Sequence, residues 1–217
     1  MEMTARHYDV VIVGAGVGGG AMANRLAATG ARGLMIERGT YLPREADNWS
    51  VKAVFHDKKY TTAETWRDRS GKAFNPSTFY YVGGNSKFFG AATVRFRKED
   101  FEDLEHEGGT APAWPVSYDE FAPYYDEAER LMGTHGTAGE DPIEPPRSGP
   151  FPHPAIGHEP EIQAIADKLR GKGLRPFSLP IAIDRHEGGA CIRCATCDGF
   201  ACKLGAKNDA EERLGGP

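Results

Sequence analysis

The first forty residues constrain the fold more than any other stretch. Tyr8-Asp9-Val10-Val11-Ile12-Val13 is a short β-branched run ended by glycine, and it reads as a buried strand of a parallel sheet. Gly14-Ala15-Gly16-Val17-Gly18-Gly19 follows and fits the pattern G-x-G-x-x-G. A helix-compatible stretch from Ala21 to Ala28 comes next, with Gly30 as its C′ residue. Gly33-Leu34-Met35-Ile36 reads as a second strand, and Glu37 stands at its end. Each glycine has a physical task in this order. Gly14 permits the tight turn off the strand, Gly16 lets the backbone touch a pyrophosphate, and Gly19 allows close helix–strand packing. The helix N-terminus then offers unpaired N–H groups and a positive dipole end to phosphates. Glu37 lies 18 residues beyond Gly19. A carboxylate there accepts from both ribose hydroxyls of an adenosine and repels a 2′-phosphate, which disfavours NADP. The pattern predicts a dinucleotide site, and by itself it fits NAD and FAD equally.

Composition sets the outer limits. The chain has 217 residues, 40 % hydrophobic and 26 % charged, which is the balance of a globular protein. That length allows one large domain, or a domain and part of a second. The net charge of −5 offers no clustered basic excess, so no nucleic-acid partner is expected. No run approaches the ~20 apolar residues of a membrane helix, so no membrane span is expected. Met1 to His7 lacks the apolar core of a secretory signal, and a cytoplasmic location is the expectation.

Further along, Ser77 to Val82 reads as a strand, and a second glycine cluster, Gly83 to Ala92, follows it. On spacing alone this cluster is equally a turn rich in small residues. Thr93 to Arg97 alternates like another strand. Ser117-Tyr118-Asp119-Glu120 is a capping box. The recurrence of Phe121, Tyr124, Tyr125, Ala128 and Leu131 behind it predicts a helix with an aromatic core stripe. Residues 133–160 hold seven of the 15 prolines and five glycines, and read as an irregular, lid-like excursion. A second helix starts near Pro160, with Ile162, Ile165, Ala166 and Leu169 as its apolar face and Gly173 after it. Leu179 to Ile183 fits a short strand.

The cysteines run Cys191-x2-Cys194-x2-Cys197-x4-Cys202. Such spacing can wrap an iron–sulfur cluster, although the bacterial ferredoxin run has x3 and then proline where this chain has x4 and Lys203. Zinc would use two separated pairs. Structural thiols rank ahead of either, and no metal ligand is assigned.

Taken together, the motifs resemble the N-terminal part of the glucose–methanol–choline (GMC) oxidoreductases, a flavoenzyme family. Four features carry the likeness: Val13-Gly14-Ala15-Gly16 with Ile36-Glu37-Arg38-Gly39; Val82 to Ala91; Trp114 to Tyr118 leading to Pro123-Tyr124-Tyr125 and Glu129; and the cysteine segment running into Gly205 to Ala210. Their order is that of the family, and they span nearly the whole chain.

The resemblance implies an α/β, Rossmann-like FAD-binding fold, incomplete, with part of an α+β substrate domain. It places the FAD-binding region at 1–112 and the start of the substrate region at 113–217. Gly14, Gly16 and Gly19 would cradle the ADP part, with Glu37 on its ribose and Arg38 beside it. Gly83, Gly84, Asn85, Ser86, Phe89, Gly90 and Ala91 would lie along the pyrophosphate and flavin. Some members attach the flavin through a histidine in this second region. Here Phe88 and Phe89 occupy that stretch without a histidine, which implies non-covalent FAD.

The function implied is FAD-dependent oxidation of a CH–OH group in a small alcohol or sugar. Family members are much longer, and their catalytic histidine comes from the C-terminal part. None of His7, His56, His106, His135, His153, His158 and His186 matches it, and each reads as a surface or loop residue. No catalytic residue is assigned. A truncated chain of this kind is expected to show little turnover alone, to expose apolar surface and to associate. The alternatives are a non-catalytic flavin-binding subunit, completed by a partner chain carrying the missing C-terminal half, or an electron-transfer module with a cluster in the cysteine loop.

Overall fold

The computed structural model describes residues 7–214. The fold is α/β, and the chain divides into two compact units, Met1–Ala91 with Asp184–Pro217, and Ala92–Ile183. This division reports packing. The expected boundary at 112 concerns cofactor and substrate roles, which packing does not report.

The first unit opens with strand β1 (Val10–Val13), helix α1 (Val17–Ala27) and strand β2 (Gly33–Ile36). β1 and β2 pair in parallel, from Val10 opposite Gly33 to Val13 opposite Ile36. The β-branched residues favour the pleated backbone, and the helix makes the crossover that a parallel pair requires. α1 begins at Val17, four residues earlier than the small-residue run predicts, because Gly16 already stands as its N-cap. Its C-cap is Ala28, and Gly30 takes a left-handed φ of +74° two residues later. Parallel sheets are normally covered on both faces. Here Val11, Val13 and Ile36 remain 54 %, 82 % and 47 % exposed, so the pair has uncovered apolar surface. A short hairpin, β3 (Trp66–Arg67) with β4 (Ala73–Phe74), follows.

The core of this unit gathers Leu42, Val54, Tyr60, Phe88, Phe200 and Ala201. Phe79 stacks on Phe88 with ring centroids 4.0 Å apart. The strand expected over Ser77 to Val82 does not form. Ser77 sits at φ +52°, which breaks the extended run, and the Phe79 N–H is taken by the Asn85 side chain at 3.0 Å. Only Tyr81 bridges, to Thr40.

The second unit holds a hairpin, β5 (Leu104–His106) with β6 (Gly109–Ala111), then helix α2 (Tyr118–Met132). The capping box forms as read: the Ser117 hydroxyl accepts from the Glu120 N–H at 3.3 Å, and the Glu120 carboxylate accepts from the Ser117 N–H at 2.9 Å. Gly133 ends the helix in the left-handed region. The aromatic stripe is only partly buried: Phe121, Tyr125 and Leu131 are half-buried, with Phe121 packed against Phe101 and Tyr125, and the fully buried face lies beside it. Tyr124 is 64 % exposed, while Tyr118, Glu129 and Met132 are buried. The reason is charge pairing. Arg95, itself buried, donates to Glu129 at 2.7 Å and 2.8 Å and to Asp126 at 2.6 Å, and Arg147 donates to Glu129 from the other side. That network turns the acidic edge of the helix inward.

Residues 133–160 are not structureless throughout. β7 (Thr134–Gly136) pairs in parallel with β8 (His153–Pro154) and antiparallel with β9 (Ile181–Ala182). The Thr93 to Arg97 strand is also not formed. Ala92 bridges to Ile181 and the Thr93 N–H reaches the Pro180 carbonyl at 3.0 Å, but Pro180 has no N–H to return and the ladder stops. α3 (Pro160–Arg170) starts at proline as predicted, yet Ile162 and Ile165 are half exposed and only Ala166 is buried. His135 corrects another expectation: it lies buried in β7, with Nδ1 2.9 Å from the Pro154 carbonyl and Nε2 3.1 Å from the Ile183 carbonyl.

Candidate functional site

The three segments singled out for a dinucleotide converge in the first unit. Gly14 turns the chain at φ +98° and donates to the Ile36 carbonyl at 2.7 Å. Gly16 caps α1 with extended backbone, no side chain caps the helix, and its first turn carries no acid. The positive end of the helix dipole thus faces neither a capping side chain nor a first-turn acid. The glycines differ in what they tolerate. A Cβ on Gly14, Gly16 or Gly18 would meet no protein atom within 4 Å, whereas one on Gly19 would collide with the Gly14 carbonyl. Gly19 therefore serves internal packing, and the side of Gly16 where a Cβ would project is open.

Glu37 locks this loop. Its Oε2 accepts from the Ala15 N–H at 2.7 Å, and its Oε1 accepts from the N–H groups of Arg38 and Gly39 at 2.8 Å and 3.0 Å. Burial would raise its pKa, but these backbone donors outweigh it and hold the carboxyl below its usual range. A carboxylate has about four acceptor sites, so this arrangement leaves one for a ligand hydroxyl. Arg38 lies over the Tyr80 ring, 3.8 Å from its centroid, and pairs with Glu64, which also accepts from the Tyr80 hydroxyl at 2.6 Å. A cavity of about 380 Å³ opens here, lined by Arg38, Gly39, Thr40, Tyr60, Tyr80 and Tyr81 among others.

The second glycine segment docks on the first. The Gly83 N–H donates to the Ala15 carbonyl at 2.9 Å, so residue 15 is bonded to Glu37 through its N–H and to Gly83 through its C=O. Gly83 and Gly84 both take positive φ, at +92° and +56°, and lead into a 3-10 turn, Gly84–Lys87. Asn85 is exposed apart from its bond to Phe79, and Ser86 is buried. Phe89 and Gly90 are half-buried, and Ala91 is fully buried at φ +62°. Phe88 belongs to the core rather than to this surface.

Sequence reasoning missed the residues that brace this segment. Lys87 is 5 % exposed and faces Asp209 at 3.0 Å and Glu211 at 2.7 Å. Burial alone would lower its pKa, but the two carboxylates outweigh it and hold the ammonium above the ordinary lysine value. Lys207 is 1 % exposed, and its Nζ donates to the carbonyls of Phe89, Phe200 and Cys197 at 2.6, 2.6 and 2.8 Å. Burial pulls this amine down to about 8. About 120 residues separate Lys87 from Asp209 and Lys207 from Phe89. No local periodicity could have announced them.

The four cysteines are free and half-buried, and burial raises the Cys197 thiol. Among the described residues no group of three or more His, Cys, Asp or Glu is placed to hold a metal. No helix among them is long and apolar enough to cross a membrane.

No family model matches the chain. It is 32 % identical to paromamine 6'-oxidase of Streptomyces fradiae and 33 % identical to 6'''-hydroxyparomomycin C oxidase of Streptomyces lividus, each over 94 % of this chain. The chain spans 37 % of the length of each of these relatives. Among solved structures, an FAD-dependent oxidoreductase from Chaetomium thermophilum superposes with a TM-score of 0.53 at 18 % identity, covering 96 % of this chain and 36 % of the other. That likeness shows a shared fold. With the motif order read from the sequence and similarity along almost its entire length, the chain resembles the N-terminal part of the glucose–methanol–choline oxidoreductases.

Proposed function

We propose that this chain is the FAD-binding portion of an oxidoreductase that acts on a CH–OH group of an alcohol or sugar, with FAD held non-covalently. One observation carries the reading: Glu37, the Gly14–Gly19 loop and the Gly83–Ala91 segment are joined through the two peptide groups of Ala15. That junction sets an acid, a helix N-terminus and a second run of left-handed backbone around one open surface. The residues fit the cofactor. The open side of Gly16 accepts a pyrophosphate, the uncapped N-terminus of α1 supplies donors and dipole, and Glu37 has a site left for a ribose hydroxyl. Arg38 would border the adenosine end. Gly83, Gly84, Asn85, Ser86, Phe89, Gly90 and Ala91 would border the pyrophosphate and flavin. When bound, the flavin supplies the two-electron acceptor for alcohol oxidation.

In this reading region 1–112 is chiefly the cofactor part, 113–217 opens the substrate part, and the residues taking the substrate proton lie in neither. Among the relatives, the names of gluconate 2-dehydrogenase and the fructose dehydrogenase large subunit support a small sugar or sugar-derived molecule as the substrate class. A titration of the purified chain with FAD, NAD and NADP, followed by quenching of protein fluorescence, tests the reading. Saturable binding of FAD alone is expected. Preference for either nicotinamide, or no binding of any of the three, would overturn it.

A further inference from the structure

The Gly83–Ala91 segment is in a conformation that its sequence permits at the two glycines and resists at Ala91. Gly83 and Gly84 are left-handed, and so is Ala91, where a side chain makes that region costly. Something must over-determine it, and residues 207–211 do so at three successive points. The Ser86 hydroxyl donates to the Gly83 carbonyl at 2.6 Å and accepts from the Ala210 N–H at 3.0 Å. The Lys87 ammonium is enclosed by Asp209 and Glu211. The Lys207 ammonium has three protons and uses them on carbonyls that include Phe89, inside the segment. Asp209 is itself 1 % exposed, and its Oδ1 also accepts the Glu211 N–H at 3.0 Å, so the carboxylate is aimed by its own backbone.

We propose that residues 207–211 form a latch that holds Gly83–Ala91 in its flavin-receiving shape, with Lys87, Asp209 and Lys207 as positioning residues. The flavin clause rests on the function proposed above; the latch itself does not. Lys87 and Asp209 are two buried charges that satisfy each other. Removing one partner leaves the other uncompensated, and the cost falls on the segment they join.

The test uses the 217-residue chain and two readouts. Amide hydrogen exchange by mass spectrometry, without ligand, reports on residues 83–91 against β1–α1–β2. FAD affinity and the shape of the visible band of added FAD report on the flavin. In Lys87→Met, exchange in 83–91 should rise by about tenfold or more while that of β1 stays unchanged. FAD affinity should fall by a similar factor. Asp209→Asn is nearly isosteric and keeps the fold if Lys87→Met does not; it should give the same pattern at reduced size. Lys87→Arg keeps a cation and should restore most of the protection and of the band shape. Unchanged exchange in 83–91 for both Lys87→Met and Asp209→Asn would overturn the latch. Wild-type protein that takes up no FAD, with 83–91 still loosened by the variants, would overturn the proposed function and leave the latch standing.

Discussion

The two glycine segments reach one surface by opposite routes. The Gly14–Gly19 loop is held by neighbours in the chain: a parallel strand pair, a helix begun at a glycine cap, and the Glu37 carboxylate. The Gly83–Ala91 segment is held by residues about 120 positions away, Lys207 on its backbone, Asp209 on its own buried Lys87 and the Ala210 N–H on Ser86. A segment made from local bonds carries its own signature, because turn, helix start and acid must recur at fixed spacing. A segment imposed by distant side chains carries only a permissive composition, small residues that do not resist. The difference predicts that the first should fail through steric change and the second through loss of charge.

The largest effect should come from the second segment. Lys207→Ala leaves three carbonyls unpaired and a cavity in their midst, and should cost about 2–4 kcal/mol of stability by denaturant unfolding. A loss no greater than that of an exposed lysine would break the contrast. Next is Gly19→Val, whose side chain would meet the Gly14 carbonyl and Ile12. Backbone cannot step aside cheaply, so a loss of about 2–3 kcal/mol is expected from the same measurement.

Gly16→Ala sharpens the comparison further. The added methyl meets nothing in the protein and Gly16 already has a negative φ of −75°. Its melting temperature should stay within a degree or two of wild type, while its dissociation constant for FAD should rise about tenfold or more, since a methyl there keeps the backbone from the pyrophosphate. A variant that melts early but binds FAD normally would assign Gly16 to packing instead.

The smallest effect concerns acid. The folded state holds Glu37 below its ordinary value of 4.5, so its stabilising contribution is present above that value and fades as pH falls through the lowered one. Glu37→Gln should therefore narrow its stability gap from wild type as the pH is taken down below about 4.5 in chemical unfolding at a series of pH values. A gap that is constant with pH would show that the carboxylate is not ionised by its backbone donors.

These contrasts also explain what could be read in the sequence. β1, β2 and the capping box of α2 are local, and they stand where pattern and spacing put them. The strands expected over Ser77 to Val82 and Thr93 to Arg97 looked right by composition and failed at single positions. A left-handed Ser77 undid one, and a proline opposite Thr93 undid the other. The aromatic stripe of α2 is buried in part, and Arg95 and Arg147, whose pairing with Glu129 no hydropathy pattern contains, bury the edge beside it. In the candidate site the glycines and Glu37 were legible as a set. Lys87, Lys207 and Asp209 were not, because a buried lysine is identical in sequence to an exposed one until its partner is known.

The central claim is that the open surface around Ala15 is made for FAD. The most direct test is the visible absorption spectrum of the purified chain after incubation with FAD and removal of the excess, followed by acid precipitation. A retained flavin band of about one equivalent that passes wholly into the supernatant on precipitation is the result this account predicts, bound and not covalent. A colourless protein after incubation would contradict it, and colour that stays in the pellet would contradict the non-covalent part.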